Sequence, residues 1–209
     1  MSSNGEDDIK ALIRHLESDI GVPDGFFRAL LKEDDWSFVI KLHALFESAV
    51  THLLEHTLGV PKLGSILGNL ELSDKHRGKL AFARELDVLD SSERRFLSVL
   101  SEIRNDLVHD VRNVSFDFES YISSRDSNQR KQFARVFESF FSDYFTIGGT
   151  EVRREDFILG NPKFALWQAS MFILAIIYQQ KELARLQSEF NRLSSENYEL
   201  LKTSTKASG

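Results

Sequence analysis

Apolar positions along this chain recur at spacings of three and four, and no stretch alternates long enough to read as a sheet. The pattern predicts an all-α helical bundle. After a polar start, a first helix is expected over about residues 7–20 and stops at "GVPDG". The stretch "DDWSFVIKLHALFESAVTHLLEHTLG" predicts a long helix behind an Asp cap, with Val39, Leu42, Phe46, Ala49, Val50 and Leu53 on one core-facing stripe. A Gly-punctuated loop follows, then a helix over about 73–87. At "DSSERRF", Asp90 and Glu93 have capping-box spacing and open a helix that lines up Phe96, Leu100, Ile103, Leu107 and Val111. "SNQRKQFARVFESFFSDYF" places Phe133, Phe137, Phe140, Phe141 and Tyr144 at helical spacing, read as a core stripe rather than a base-stacking platform. A loop over about 146–162 leads to the last helix.

That helix opens with "FALWQASMFILAIIYQQ", uncharged between Lys163 and Lys181. The segment is short for a membrane span and carries Gln168, Ser170, Gln179 and Gln180, so it reads as a buried helix. Ala169, Phe172, Ile176, Gln179, Leu183, Leu186, Phe190, Leu193, Asn197 and Leu200 then follow the spacing of coiled-coil a and d positions, with Asn197 at a. They predict a helix–helix seam, although packing of one amphipathic helix back on its own domain also fits. The organisation expected is a disordered start (1–8), a helical bundle (9–180), a coiled-coil extension (181–201) and a disordered tail (202–209).

Composition narrows the function classes. The 209 residues suffice for one domain with a substantial core. There is no cysteine, which removes disulfides, thiolate nucleophiles and Cys-based zinc sites. The start "MSSNGEDDIK" lacks the layout of a signal peptide, so a cytoplasmic location is expected. A net charge of -6 disfavours broad capture of nucleic acid, and any such role must rest on a local cleft. No helix-turn-helix with a basic reading face is evident, and direct DNA binding is not expected.

Few motifs carry chemistry. "HLLEH" at 52–56 has the spacing of a zinc-peptidase motif but lacks a third ligand, so no metal and no cofactor is expected. Gly59, Gly64 and Gly68 precede no Gly-Lys-Ser/Thr and read as turn glycines. The remaining candidate is "IRNDLVHD" at 103–110. Asn105 and His109 lie within about 40° of each other around the helix, and Arg104 sits about 100° from Asn105, at the margin of the apolar stripe. His109 faces away from the core, toward solvent or toward another subunit. Arg offers a fixed positive fork for phosphate, and His moves protons near neutral pH. Because RNA carries its own 2′-hydroxyl nucleophile, two such helices at a two-fold axis would suit metal-free phosphodiester cleavage.

The Arg-x4-His spacing at the end of a bundle helix, with Asn directly after the Arg, resembles the signature of the HEPN superfamily. More specifically, "SFVIKLHALFESAVTHLL", "LGNLELSDKHRGKLAFARELDVLDSSERRFLSVLSEIRNDLVHD" and "VSFDF" resemble the mannitol operon repressor family over about 36–118. The resemblance implies a dimeric endoribonuclease in which Arg104 and His109 are catalytic, Asn105 orients phosphate or ribose, and Glu47 supports them. It equally implies the alternative of a non-catalytic transcriptional regulator or interaction module, with a regulatory protein or an antitoxin as partner. Val111 stands where many toxin-type members carry Tyr, so regulation by modification of that Tyr is not expected. Asp106 and Asp110 flank His109 and place negative charge where phosphate must approach.

Overall fold

The computed structural model describes residues 3–207; the side chains of 3–10, Leu16, Pro61, Val111 and 199–207 lie outside the described residues. The chain is predominantly helical, an all-α bundle with one small hairpin. Where the backbone is described it is helical at 3–8 and at 202–207, both expected as polar, disordered ends. The expected core position Val111 and seam position Leu200 fall among the undescribed side chains.

Helix α1 (Ser3–Ile20) ends at Gly21, whose φ of 80° lets the chain reverse. The buried Glu17 carboxylate then accepts from the backbone N–H groups of Gly25 (2.9 Å) and Phe27 (2.7 Å). This ties the end of α1 to the start of the short α2 (Phe26–Ala29). Helix α3 (Asp35–Leu58) is the axis of the fold. Its cap, Asp34, accepts from the Ser37 backbone N–H at 2.9 Å and from the Ser37 hydroxyl at 2.7 Å. All six stripe residues expected on it are fully buried.

After α4 (Gly64–Gly68), inside the segment expected as loop, the helix expected over 73–87 is reduced to α5 (Lys79–Glu85). The cause is local. Asp74 Oδ1 accepts from the backbone N–H of His76 (2.8 Å) and Arg77 (2.7 Å), which makes a turn compete with the helix. Gly78 closes that turn so tightly that a Cβ there would lie 2.5 Å from the Asp74 nitrogen.

Helix α6 (Ser91–Val108) carries the predicted capping box, with the Asp90 N–H donating to Glu93 Oε2 at 2.6 Å. Its residues Phe96, Leu100, Ile103 and Leu107 are buried against α3. Helices α7 (Phe118–Ser123) and α8 (Ser127–Arg135) complete this side. The aromatic series is not one helix: α8 stops at Arg135, and only Phe133 and Phe137 are fully buried, meeting edge to face at 5.4 Å. Phe140 and Phe141 are half-buried, and Tyr144 is exposed on a strand.

That strand corrects the expected loop. β1 (Tyr144–Ile147) pairs antiparallel with β2 (Thr150–Arg153), in register Ile147 to Thr150. Gly148 and Gly149 have φ of 56° and 84°, the positive values that a two-residue hairpin turn needs. Strands of four residues are too short to show alternation, but the Gly-Gly pair between them was a readable signal.

Helix α9 (Arg154–Gly160) leads to α10 (Pro162–Ala207), which packs along α3. Ala165, Leu166, Ala169, Ile173, Leu174 and Ile177 enter the core. No helix among the described residues is long and apolar enough to cross a membrane. Lys181, buried at the end of this half, pairs with Asp19 of α1. Beyond it α10 leaves the bundle.

Candidate functional site

The last two turns of α6 and the chain just after it carry the candidate residues. Arg104 is half-buried, and its Nη1 donates to Asn105 Oδ1 at 3.0 Å. Asn105 thus steadies the guanidinium. His109 is the residue that ends α6; its backbone N–H reaches the Asn105 carbonyl at 3.3 Å and its imidazole is exposed. The face reading from the sequence therefore matches the observed positions of both side chains. Among the described residues, no side-chain hydrogen bond or ion pair joins His109 to Arg104.

The acidic flank is less repulsive than the sequence implied. Asp110 caps the next turn by accepting from the Arg112 N–H at 2.9 Å, and its carboxylate is gripped by the Arg112 guanidinium, Nε lying 2.9 Å from Oδ2. The Arg112 side chain, followed by its backbone N–H, holds this carboxyl below the usual Asp range. Asn113 Nδ2 donates to the Asp106 carbonyl at 2.7 Å, so the turn after His109 is laced back onto α6.

Beneath Arg104 lies a polar layer that sequence reasoning missed except for Glu47. His43 of α3 is 4 % exposed, and its Nε2 lies 3.1 Å from Ser101 Oγ of α6. The Ser101 hydroxyl donates its only proton to the Leu97 carbonyl at 2.9 Å. Its oxygen must accept from His43, which fixes the Nε2–H tautomer and leaves Nδ1 as a lone-pair acceptor. Nδ1 in turn faces Glu47 Oε2 at 3.6 Å. Burial, then the Arg104 charge, then the Lys79 charge lower the His43 pKa to about 4, so the ring is neutral at pH 7.

Lys79 of α5 completes the layer. It is 2 % exposed, and its Nζ reaches the Glu47 carbonyl at 3.4 Å. Burial lowers its pKa, opposed by the Glu47 charge. The structure therefore brings Glu47 to the α6 side of the bundle and surrounds it with His43 and Lys79, while Arg104 bears on the same layer. A signal was present, since His43 and Glu47 stand one turn apart on a helix whose other inward positions are apolar.

The "HLLEH" residues are engaged within their own helix. His56 Nδ1 donates to the His52 carbonyl at 2.8 Å, and His52 Nδ1 lies 3.6 Å from Glu55. No group of three or more metal-ligating side chains is found among the described residues.

Chemically, the surface offers a steadied guanidinium fork and, along the same helix, an accessible imidazole. Together these suit an anionic ester such as a phosphodiester. Searches find no family model, no curated protein and no solved structure that matches the chain.

Proposed function

We propose that this chain is a HEPN-type, metal-independent endoribonuclease that acts in the cytoplasm as a homodimer, a candidate toxin or defence effector. The reading rests on one observation above others: Arg104 is held by Asn105 at the margin of α6 while His109 stands exposed at the end of the same helix. In the reaction, one His109 takes the proton from the 2′-hydroxyl as its oxygen attacks phosphorus, and Arg104 stabilises the charge of the phosphorane. The bond to the 5′-oxygen then breaks, and the partner's His109 returns a proton to that oxygen. The products are a 2′,3′-cyclic phosphate and a 5′-hydroxyl. Asn105 and Glu47 act as positioning groups for Arg104 and for the layer beneath it.

A second reading, a non-catalytic regulator or protein-interaction module resembling the mannitol operon repressor family, is favoured by a specific feature. The Arg104 guanidinium already has an internal partner and lies over a layer that is packed and hydrogen-bonded without a ligand. The test is single-stranded RNA incubated with the purified protein in a chelator, with end-group analysis of the fragments. Cyclic phosphate ends that vanish with Arg104→Ala and with His109→Ala support the nuclease. RNA left intact, or cut equally well by His109→Ala, defeats it in favour of the regulator.

A further inference from the structure

We infer that the free half of α10 is a self-association surface, which pairs with α10 of a second copy as a parallel, in-register two-stranded coiled coil. This does not depend on the ribonuclease reading.

Three observations carry it. First, the seam is bare. Leu183, Leu186, Phe190 and Leu193 are 60 %, 53 %, 65 % and 46 % exposed, on consecutive a and d positions. The protein's own bundle does not cover them, because the side of α10 turned toward the C-terminal end of α3 is another one. There Arg185, Ser188, Glu189 and Arg192 share a groove with Glu55, His56 and Gly59. Packing of α10 back on its own domain, the alternative that the sequence also allowed, does not occur here: residues 185–198 are all exposed. The exposed run is too ordered for scattered surface hydrophobics, since it repeats at heptad spacing.

Second, charge selects the occupant and its direction. With Leu183 at a, the g positions are Glu182, Glu189 and Glu196, and the e positions Gln187 and Ser194 are neutral. An antiparallel pair sets g against g, which would oppose glutamate with glutamate along the seam. A parallel pair sets Glu182 against Gln187 and Glu189 against Ser194 of the other copy, with no like charges in contact. The glutamates are already balanced within their own helix: Arg185 Nε lies 2.9 Å from Glu182, Arg185 Nη1 3.8 Å from Glu189, and Arg192 Nη1 3.6 Å from Glu196. Opposite charges on a partner are therefore not required. Asn197, alone at an a position in this half, pairs with its own counterpart only in the in-register alignment.

Third, the seam continues onto the bundle. Phe172, a d position of the same repeat, lines an apolar groove of about 420 Å³ with Phe145, Ile147, Phe157 and Phe164. Ile147 and Phe164 are 49 % and 42 % exposed there. Along the repeat, Ile176, packed against the core, and the exposed Gln179 lie between this groove and Leu183.

The absence of cysteine makes a clean test. Light scattering on the full chain is expected to give twice 24.0 kDa, and Leu186→Glu with Leu193→Glu to return the mass to 24.0 kDa with unchanged circular dichroism per residue of the bundle. Under oxidation, Leu186→Cys is expected to form a disulfide-linked dimer and Ser195→Cys, on the outer face, to form none. A mixture of Leu186→Cys and Phe190→Cys chains distinguishes direction, since disulfides between unlike chains would mean an antiparallel pair, in which d faces a. A monomeric full chain, a dimer that survives the double Glu variant, or a Leu186→Cys dimer that fails to cross-link each overturns the proposal. RNA cleavage is a separate readout, so failure here leaves the nuclease reading to its own assay.

Discussion

His43 on α3 donates its Nε2–H to Ser101 Oγ on α6 across 3.1 Å, and the hydroxyl passes its own proton to the Leu97 carbonyl. This chain stitches the helix that bears the candidate site to the axis of the bundle. Burial and the charges of Arg104 and Lys79 keep the ring neutral at pH 7.

That arrangement gives stability a pH dependence. In the unfolded chain His43 gains a proton below about pH 6.5, whereas in the folded protein it resists protonation until about 4. The unfolded state therefore binds more protons in this window. The contribution is fully present above pH 6.5 and is lost as pH falls toward 4. Between pH 7 and pH 5 the loss from this residue is on the order of 2 kcal/mol. Urea unfolding at the two pH values measures it, and His43→Gln should flatten most of the difference.

Glu17 is 3 % exposed and holds two backbone N–H groups at the α1–α2 junction. Glu17→Ala leaves both donors unsatisfied and should destabilise by roughly 3 kcal/mol, while Glu17→Gln keeps one acceptor and should cost about half as much. Thermal melts of the two variants give the ordering. Equal melting temperatures would show that the junction is held by something else.

Gly78 has an ordinary φ of −76°, so its requirement is spatial rather than conformational. A Cβ at this position would lie 2.5 Å and 2.6 Å from the Asp74 backbone nitrogen and oxygen. Gly78→Ala must push backbone apart and is expected to cost about 2 kcal/mol or more, read by chemical denaturation. Gly68→Ala, where a Cβ meets nothing within 4 Å, is the control and should be close to neutral.

If Arg104 stabilises a phosphorane, its planar fork and its bond to Asn105 both matter. Arg104→Lys keeps the charge but loses the fork, and should lower the rate of RNA cleavage by about two orders of magnitude with little change in melting temperature. Asn105→Ala should lower it less and leave the pH profile unaltered, because it frees Arg104 without touching His109. A Lys variant with full activity would reduce Arg104 to a diffuse positive charge.

The candidate site was legible in part. Arg104, Asn105 and His109 lie within one helix, so helical geometry alone placed Arg104 at the margin of the stripe and His109 away from it, as observed. His43 left a signal in its place one turn from Glu47, but its partners Ser101 and Lys79 were not legible, because Ser101 is 58 residues from His43 and Lys79 stands 32 from Glu47. The hairpin was missed for the opposite reason: its strands are so short that only the Gly-Gly turn announces them.

What the sequence determined by itself is what neighbours along the chain can decide: the helical class, the caps at Asp34 and Asp90, the buried stripes of α3 and α6, and the heptad repeat of α10. Each follows from propensity, local hydrogen bonding or a 3.6-residue period, all of which act over a few residues. Tertiary structure alone decided which polar groups share the layer under Arg104, where Asp74 and Gly78 cut a helix short, and which side of α10 meets the bundle. Those depend on segments distant in sequence competing for the same space, and the apolar face of α10 is bare because the helix leaves the bundle beyond Lys181.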